Sequence, residues 1–310
     1  MSDFLVSILI VNWNTRELVL ECLASLPKDA SGPSYEVVVV DNGSVDGSGD
    51  ALSRQTGITL IRNERNLGYA AAVNQAYRHS SGEFVLLLNS DVDLTPTALS
   101  SLTDFLQDNA SAAAVGPLYL NLDGSPQPFH FRFPTFKMTL ANGGAVASRL
   151  LPGSKRRLRH YRMLDDDFSQ PRPVPQPSAS CLLLRRSCLP EDHVFDERYP
   201  IFFNDVQLAR SFADRGLTLW VTPAAKVVHH SHASTRKLGA AGKRQYLGSL
   251  IRMLEETEPS VNVWLYRFVV FVQNIPVWLF RRPNALTFGD LWKALSGDVG
   301  PLPSDPSPPA

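Results

Sequence analysis

Four apolar runs, at residues 5–11, 36–40, 58–61 and 84–88, punctuate the N-terminal third of the chain, and the stretches between them have helical spacing. Between 15 and 26, Leu18, Cys22 and Leu26 recur every fourth residue. Asn14 or Thr15 is placed to cap the start, and Pro27 lies beyond the end. Segments 69–79 and 96–107 read as further helices, the second with Pro96 in its first turn. The apolar runs contain no regular polar alternate, so both faces of each strand must be covered. Strands buried on both faces and joined through helices build a parallel sheet between helical layers. The predicted fold class is therefore α/β, a mostly parallel sheet flanked by helices.

The 310 residues allow one large domain or two small ones, and 44% hydrophobic residues with 19% charged suffice for a core. Lys+Arg and Asp+Glu are both 30, so no global charge draws the chain to nucleic acid, and no nucleic-acid partner is expected. Three cysteines, Cys22, Cys181 and Cys188, are an odd number without CxxC spacing; they read as reduced thiols of a cytoplasmic protein. The opening MSDFLVSILIVNWN has an apolar run but no cationic region and no cleavage site, and reads as a first strand.

After Pro117 the alternation stops. Residues 118–177 read as an irregular insertion with a short helix near 136–150. It carries a basic cluster (Lys155, Arg156, Arg157, Arg159, Arg162) and an acidic trio at 165–167. Strands are expected at 179–185 and 217–221, and helices at 205–215 and 240–256. The segment 261–280, VNVWLYRFVVFVQNIPVWLF, is long and apolar, but Arg267, Gln273, Asn274 and Pro276 argue against a membrane span. Two readings stay open: a helix lying on a membrane surface, and a helix packed on the protein itself. The expected organisation is a domain over 1–236, in halves 1–117 and 118–236, a helical region over 237–298 and a disordered tail over 299–310.

Ligands of open α/β sheets bind outside the carboxyl ends of the strands. Asp41 lies at such an end, and so does the run Asn89-Ser90-Asp91-Val92-Asp93. Carboxylates from two strands on one edge call for a cation or for hydrogen-bond donors on a ligand. The plainer reading is that Asp41 and Asp91 cap the helices that follow.

Several pieces occur in a telling order. They are VSILIVNWN with CLASL, VVVVDNGSVDGS, NERNLGYAAAVNQA, LLLNSD, SASCLLLRRS followed by FDERYPIFFNDVQLARSFADRG, and VVHHSHAST. Over residues 4 to 236 this set resembles the inverting family 2 glycosyltransferases of GT-A fold, especially their rhamnosyltransferase-like branch. The resemblance implies that Asp41 accepts a hydrogen bond from the ring N–H of a uracil or thymine, which an acceptor-only carboxylate suits. It places Val11 and Trp13 in the base pocket, with Asn66, Asn89 and Ser90 near the donor nucleotide. It makes Asp91 a ligand of Mg²⁺ or Mn²⁺ on the donor diphosphate, and His229 a further ligand. Asp205 becomes the base that deprotonates the acceptor hydroxyl, a reading the surrounding FDERYPIFF segment favours over a simple N-cap of the helix that follows, with which it is compatible. Two positions depart from the family pattern: Asn89 and Asn204 stand where it has acids.

The implied partners are a UDP- or dTDP-sugar, with dTDP-L-rhamnose favoured, and a cell-envelope glycan or polyprenyl-diphosphate-linked saccharide. The second would be met at the inner face of the cell membrane. The basic cluster reads as a solvated loop, or as a contact for anionic headgroups or a lipid-linked pyrophosphate. The alternative function is a non-catalytic nucleotide- or glycan-binding protein of the same fold, suggested by the two asparagines. A nucleotidyltransferase and a nicotinamide-dependent oxidoreductase are disfavoured, because VNWNTREL has no glycine-rich phosphate loop.

Overall fold

The computed structural model describes residues 4–28, 32–142, 153–230, 235–279 and 286–303. The chain begins with β1 (Val6–Asn12), α1 (Arg16–Ala24), β2 (Tyr35–Asp41), α2 (Ser48–Leu52), β3 (Thr59–Arg62) and α3 (Tyr69–Arg78). It continues through β4 (Phe84–Asn89), β5 (Val92–Leu94), α4 (Ala98–Asp108) and β6 (Ala112–Leu120). The insertion holds β7 (Pro126–Gln127), β8 (His130–Phe131), α5 (Phe136–Asn142), α6 (Ser154–Tyr161), β9 (Arg172–Pro173) and β10 (Gln176–Pro177). The remainder is β11 (Cys181–Arg185), α7 (Asn204–Asp214), β12 (Thr218–His229), α8 (Gly239–Thr257), α9 (Ser260–Leu279) and α10 (Phe288–Leu295).

The main sheet runs β3-β2-β1-β4-β11-β6-β12-β5. Its first four strands are parallel, as their two-sided apolar character requires. In β4, Phe84, Leu86 and Leu88 pack in one hydrophobic layer with Leu99 and Leu102 of α4. The alternate Val85 and Leu87 pack in the other, with Val73 of α3 and Phe212 of α7. Beyond β4 the sheet is mixed. Strand β11 inserts antiparallel between β4 and β6, and β5 pairs antiparallel with β12.

Strand β6 runs through Pro117, where the sequence suggested that regular structure ends. A proline cannot donate to a ladder. The partner strand β12 shifts register between Val221 and Lys226, opposite this point, and so no donor is demanded there. The basic cluster, expected as a loop, is largely helical in α6. The expected helix near 136–150 is present over α5; its remainder lies outside the described residues, as do His232, Arg281 and Arg282.

Helices α8, α9 and α10 form a third hydrophobic cluster with Tyr199 and with Val206 of α7. Val263, Tyr266 and Val270 of α9 are buried in it. The opposite face of α9 leaves Val261, Trp264, Leu265, Phe268, Val272 and Ile275 exposed. Thus the helix both packs on the protein and presents an apolar stripe. No helix of the described residues is long and apolar enough to cross a membrane. The first residues of the tail lie against the protein: Gln245 Nε2 of α8 donates to the Gly300 carbonyl, and Leu302 approaches Gly68, just before α3.

Candidate active site

Strand register assembles the site. Asn12 of β1 pairs with Asp41 of β2, and Val11 pairs with Asn89 of β4, so three strands end at one level. β11 begins at the same edge, where the Asn89 amide donates to the Ser180 carbonyl. Val92 pairs with His229 of β12, which brings that histidine beside Asp91.

Asp41 is 2% exposed, and its Oδ1 accepts from Asn12 Nδ2 at 3.0 Å. The Thr15 hydroxyl donates to Asn12 Oδ1 at 2.7 Å. Since that uses the only proton on the Thr15 hydroxyl, the 2.9 Å contact with Ser90 must be donated by Ser90. A buried hydrogen-bond chain therefore locks the ends of β2, β1 and β4 together. The turn after Asp41 needs Gly43, whose φ is +76°; a Cβ there would lie 2.5 Å from the backbone carbon of Arg65. That close approach seats the 63–68 loop behind Asp41. Asn66 braces this loop, with its Oδ1 accepting from Asn42 Nδ2 at 3.0 Å and from the Gly68 amide at 2.9 Å.

Val11, Asn89, Ser90, Asp91 and Asp205 line one cleft of about 220 Å³. Asp41, Trp13 and Asn66 are not in its lining. Trp13 is 6% exposed, and its buried indole N–H has no hydrogen-bond acceptor among the described residues. Asn66 borders a separate cavity with Arg65. The sequence reading missed Tyr69 and Gln176. The phenol of Tyr69 lines the cleft, and its pKa is raised by burial and then by the Asp205 and Asp91 charges. Gln176 sits in a proline-rich stretch with no motif to mark it, and only the pairing of β10 with β8 brings it inward.

Asp205 occupies the first turn of α7 and is partly exposed to the cleft. Its Oδ1 accepts from the Val206 amide at 2.8 Å, and its Oδ2 accepts from Gln176 Nε2 at 3.2 Å. Asp205 is therefore not the N-cap: the helix begins one residue earlier than expected, its N-cap position is Phe203, and the Asp205 carboxylate sits within the first turn. Burial raises its pKa above the ordinary carboxylate value, against the lowering effect of those two hydrogen bonds. The helix is entered through Phe203, a bulky residue at φ +67° that also lines the cleft. Asn204 Nδ2 donates to the Ile201 carbonyl at 3.0 Å, so this departure from an acid serves the entry turn.

Asp91 is 5% exposed, and His229 Nε2 lies 3.7 Å from its Oδ1. Nδ1 of His229 is 2.8 Å from Gln127 Oε1. An amide oxygen only accepts, so Nδ1 carries a proton, and a neutral ring then turns its Nε2 lone pair toward the carboxylate. A lone pair facing an anion at that distance suits a cation between them, with Gln127 fixing the tautomer. Asn89 Oδ1 is a further buried oxygen, without a hydrogen-bond partner among the described residues. These donors fit a hard or borderline divalent cation. One residue on, His230 Nε2 meets Asp93 Oδ2 at 2.7 Å. With Glu21 of α1, these two offer ligand atoms within 4.8 Å of one another, a second set that the sequence reading did not assemble.

The family model described as "Glycosyl transferase family 2" matches residues 7–191. The N-acetylglucosaminyl-diphospho-decaprenol L-rhamnosyltransferase of Mycobacterium tuberculosis is 34% identical over 227 residues, covering 69% of this chain and 72% of that protein. A dolichol-phosphate mannosyltransferase of Pyrococcus furiosus is 25% identical over 148 residues, 47% of this chain and 40% of its own. Among solved structures, the mannosyltransferase PcManGT of Pyrobaculum calidifontis, in complex with GDP-Man and Mn²⁺, superposes with a TM-score of 0.52. It is 18% identical, over 98% of this chain and 78% of that one. GalNAc-T7 with UDP, GalNAc and Mn²⁺ gives 0.54 at 17% identity, over 74% of this chain and 44% of its own. Both likenesses concern the fold, which is GT-A.

Proposed function

The chain belongs to glycosyl transferase family 2 and is a rhamnosyltransferase-like glycosyltransferase, and from that premise we propose a metal-dependent, inverting transfer of L-rhamnose from dTDP or UDP to a sugar hydroxyl on a polyprenyl diphosphate. The observation that carries this reading is the shared cleft: Asp91, from the sheet edge, and Asp205, from α7, face one cavity. The M. tuberculosis relative supports the sugar and the acceptor class, since its name specifies both.

Asp91 and His229 would hold Mg²⁺ or Mn²⁺, which neutralises charge on the leaving nucleoside diphosphate. Asp41 accepts the ring N–H of uracil or thymine and rejects cytosine, which has no proton at that position. Asn66 acts as a positioning residue for the loop behind it. Asp205 takes the proton of the acceptor hydroxyl as that oxygen attacks the anomeric carbon opposite the diphosphate, inverting the centre. Gln176 donates to Asp205 Oδ2 and so aims the carboxylate.

Thermal stability against nucleoside diphosphates tests the donor side. At 100 times Kd a ligand adds about 2.7 kcal/mol to folding stability. UDP or dTDP with Mn²⁺ should raise Tm by several degrees, and CDP should not. Equal shifts from CDP and UDP would remove Asp41 from base selection.

The site would work at a membrane surface. The exposed stripe on α9 supports this: Trp264 and Phe268 stack at 5.7 Å, and Trp292 and Phe288 of α10 are exposed beside it. Trp and Phe on an amphipathic helix seat at the headgroup boundary. Replacing Trp264 and Phe268 together by Ser should reduce sedimentation with phosphatidylglycerol vesicles about tenfold or more, given the apolar area withdrawn from lipid. Unchanged sedimentation would exclude this face.

A further inference from the structure

Two further cavities adjoin the catalytic cleft on the side of the insertion. The smaller, about 60 Å³, shares Phe203 with the cleft and is also lined by Met138 and Tyr161. The larger, about 600 Å³, shares Met138 and Tyr161 with the smaller one and opens between α5 and α6. The Tyr161 phenol lies within electrostatic reach of Asp205, whose charge adds to burial in raising its pKa.

The wall of the larger cavity is cationic. Lys137 of α5 and Arg156 and Arg157 of α6 line it and are exposed. Arg132 also lines it, held by Asp166 through contacts of 2.9 and 3.0 Å. Among the described lining residues the one carboxylate is Asp165, which is paired with Arg159. In α6 only Ser154, Leu158 and Tyr161 are half-buried, while Lys155, Arg156, Arg157 and Arg159 are exposed, so core packing does not explain the basic run. Its guanidinium groups are suited to phosphate oxygens, which they can meet through two parallel hydrogen bonds.

We propose that the cavity between α5 and α6 binds the diphosphate of the lipid-linked acceptor through Arg156, Arg157 and Lys137, with the attached sugar passing Tyr161 and Phe203 to reach Asp205. This rests on the acceptor class proposed above. The prenyl chain then leaves toward α9, against which α5 packs and whose outer face is apolar. A phosphate-bearing ligand has two sources here, a prenyl diphosphate or a bilayer headgroup, and the test separates them.

The full chain is titrated calorimetrically with farnesyl diphosphate and with farnesol, as wild type and as R156Q/R157Q. Loss of the charge-assisted contacts should weaken farnesyl diphosphate at least about tenfold, while farnesol binds both proteins equally. The nucleotide-dependent thermal shift should be the same in both, which verifies folding. K137Q, on the other helix, should act in the same direction. Equal affinity of wild type and variants for farnesyl diphosphate would overturn the proposal. So would a loss confined to sedimentation with phosphatidylglycerol vesicles, which would assign the arginines to headgroups. Arginine-dependent binding of farnesyl diphosphate by a protein that glycosylates no prenyl-diphosphate saccharide would uphold the site and remove the acceptor class instead.

Discussion

Asp205→Asn should lower kcat/KM about 10³-fold, the range expected for loss of a positioned base, and should leave nucleotide binding intact. The substitution is nearly isosteric. It keeps an acceptor oxygen for the Val206 amide, which now donates to Oδ1 at 2.8 Å. Gln176 Oε1 is buried without a partner among the described residues, so a flip of that amide would receive the new Asn donor. The variant should therefore fold, and its donor-side thermal shift should match wild type. Wild-type turnover in the variant would place the base elsewhere.

The same carboxylate sets a pH dependence. Burial raises its pKa, and only the ionised form accepts a proton. Activity should fall on the acid side through a limb lying above the ordinary aspartate range, and Asp205→Asn should abolish that limb. Stability has the opposite sign. A carboxyl whose folded pKa is raised binds its proton more tightly in the folded state. Its stabilising contribution is complete below the unfolded value and is lost as pH rises through the folded one. At neutral pH the always-neutral Asn should accordingly raise Tm. A fall in Tm would mean that the ionised carboxylate contributes more through its hydrogen bonds than burial costs.

Asp91→Asn should remove the metal dependence of nucleotide binding and reduce turnover by about 100-fold or more, as expected when charge stabilisation of a leaving group is lost. Asn preserves the side-chain volume at this 5% exposed position. The backbone bond from the His230 amide to the Asp91 carbonyl, 2.9 Å, is untouched. Asp93→Asn is the matched control, because it disrupts the Glu21, Asp93 and His230 set without altering the cleft lining. Metal-dependent UDP binding that survives Asp91→Asn but is lost in Asp93→Asn would move the donor metal to the second set.

Much of the parallel half of the fold was legible from residues near one another in the chain. A run such as FVLLL has no polar face, so it must lie between two helical layers, and Leu86 and Leu87 do face different layers. Helix boundaries were close for the same reason: α1 and α3 follow local periodicity. The mixed half was less legible. Strand β6 reads AAAVGPLYL, with small residues, a glycine and a proline, and its stability comes from β11 and β12 rather than from its own propensity. Helix α6 lacks the apolar stripe by which helices are recognised.

By itself, then, the sequence determined that strands end on Asp41 and on Asn89-Ser90-Asp91, because an apolar run that stops on a polar group marks its own edge. Only the tertiary structure decided which groups share a cavity. Asp205 and Gln176 meet through the packing of α7 and β10, and the β5–β12 register brings His229 to Asp91 and His230 to Asp93. The physical reason is that strand pairing across more than a hundred residues is chosen by summed burial and backbone hydrogen bonding, which no short segment encodes. A shift of one residue in that register would exchange the faces of the two histidines.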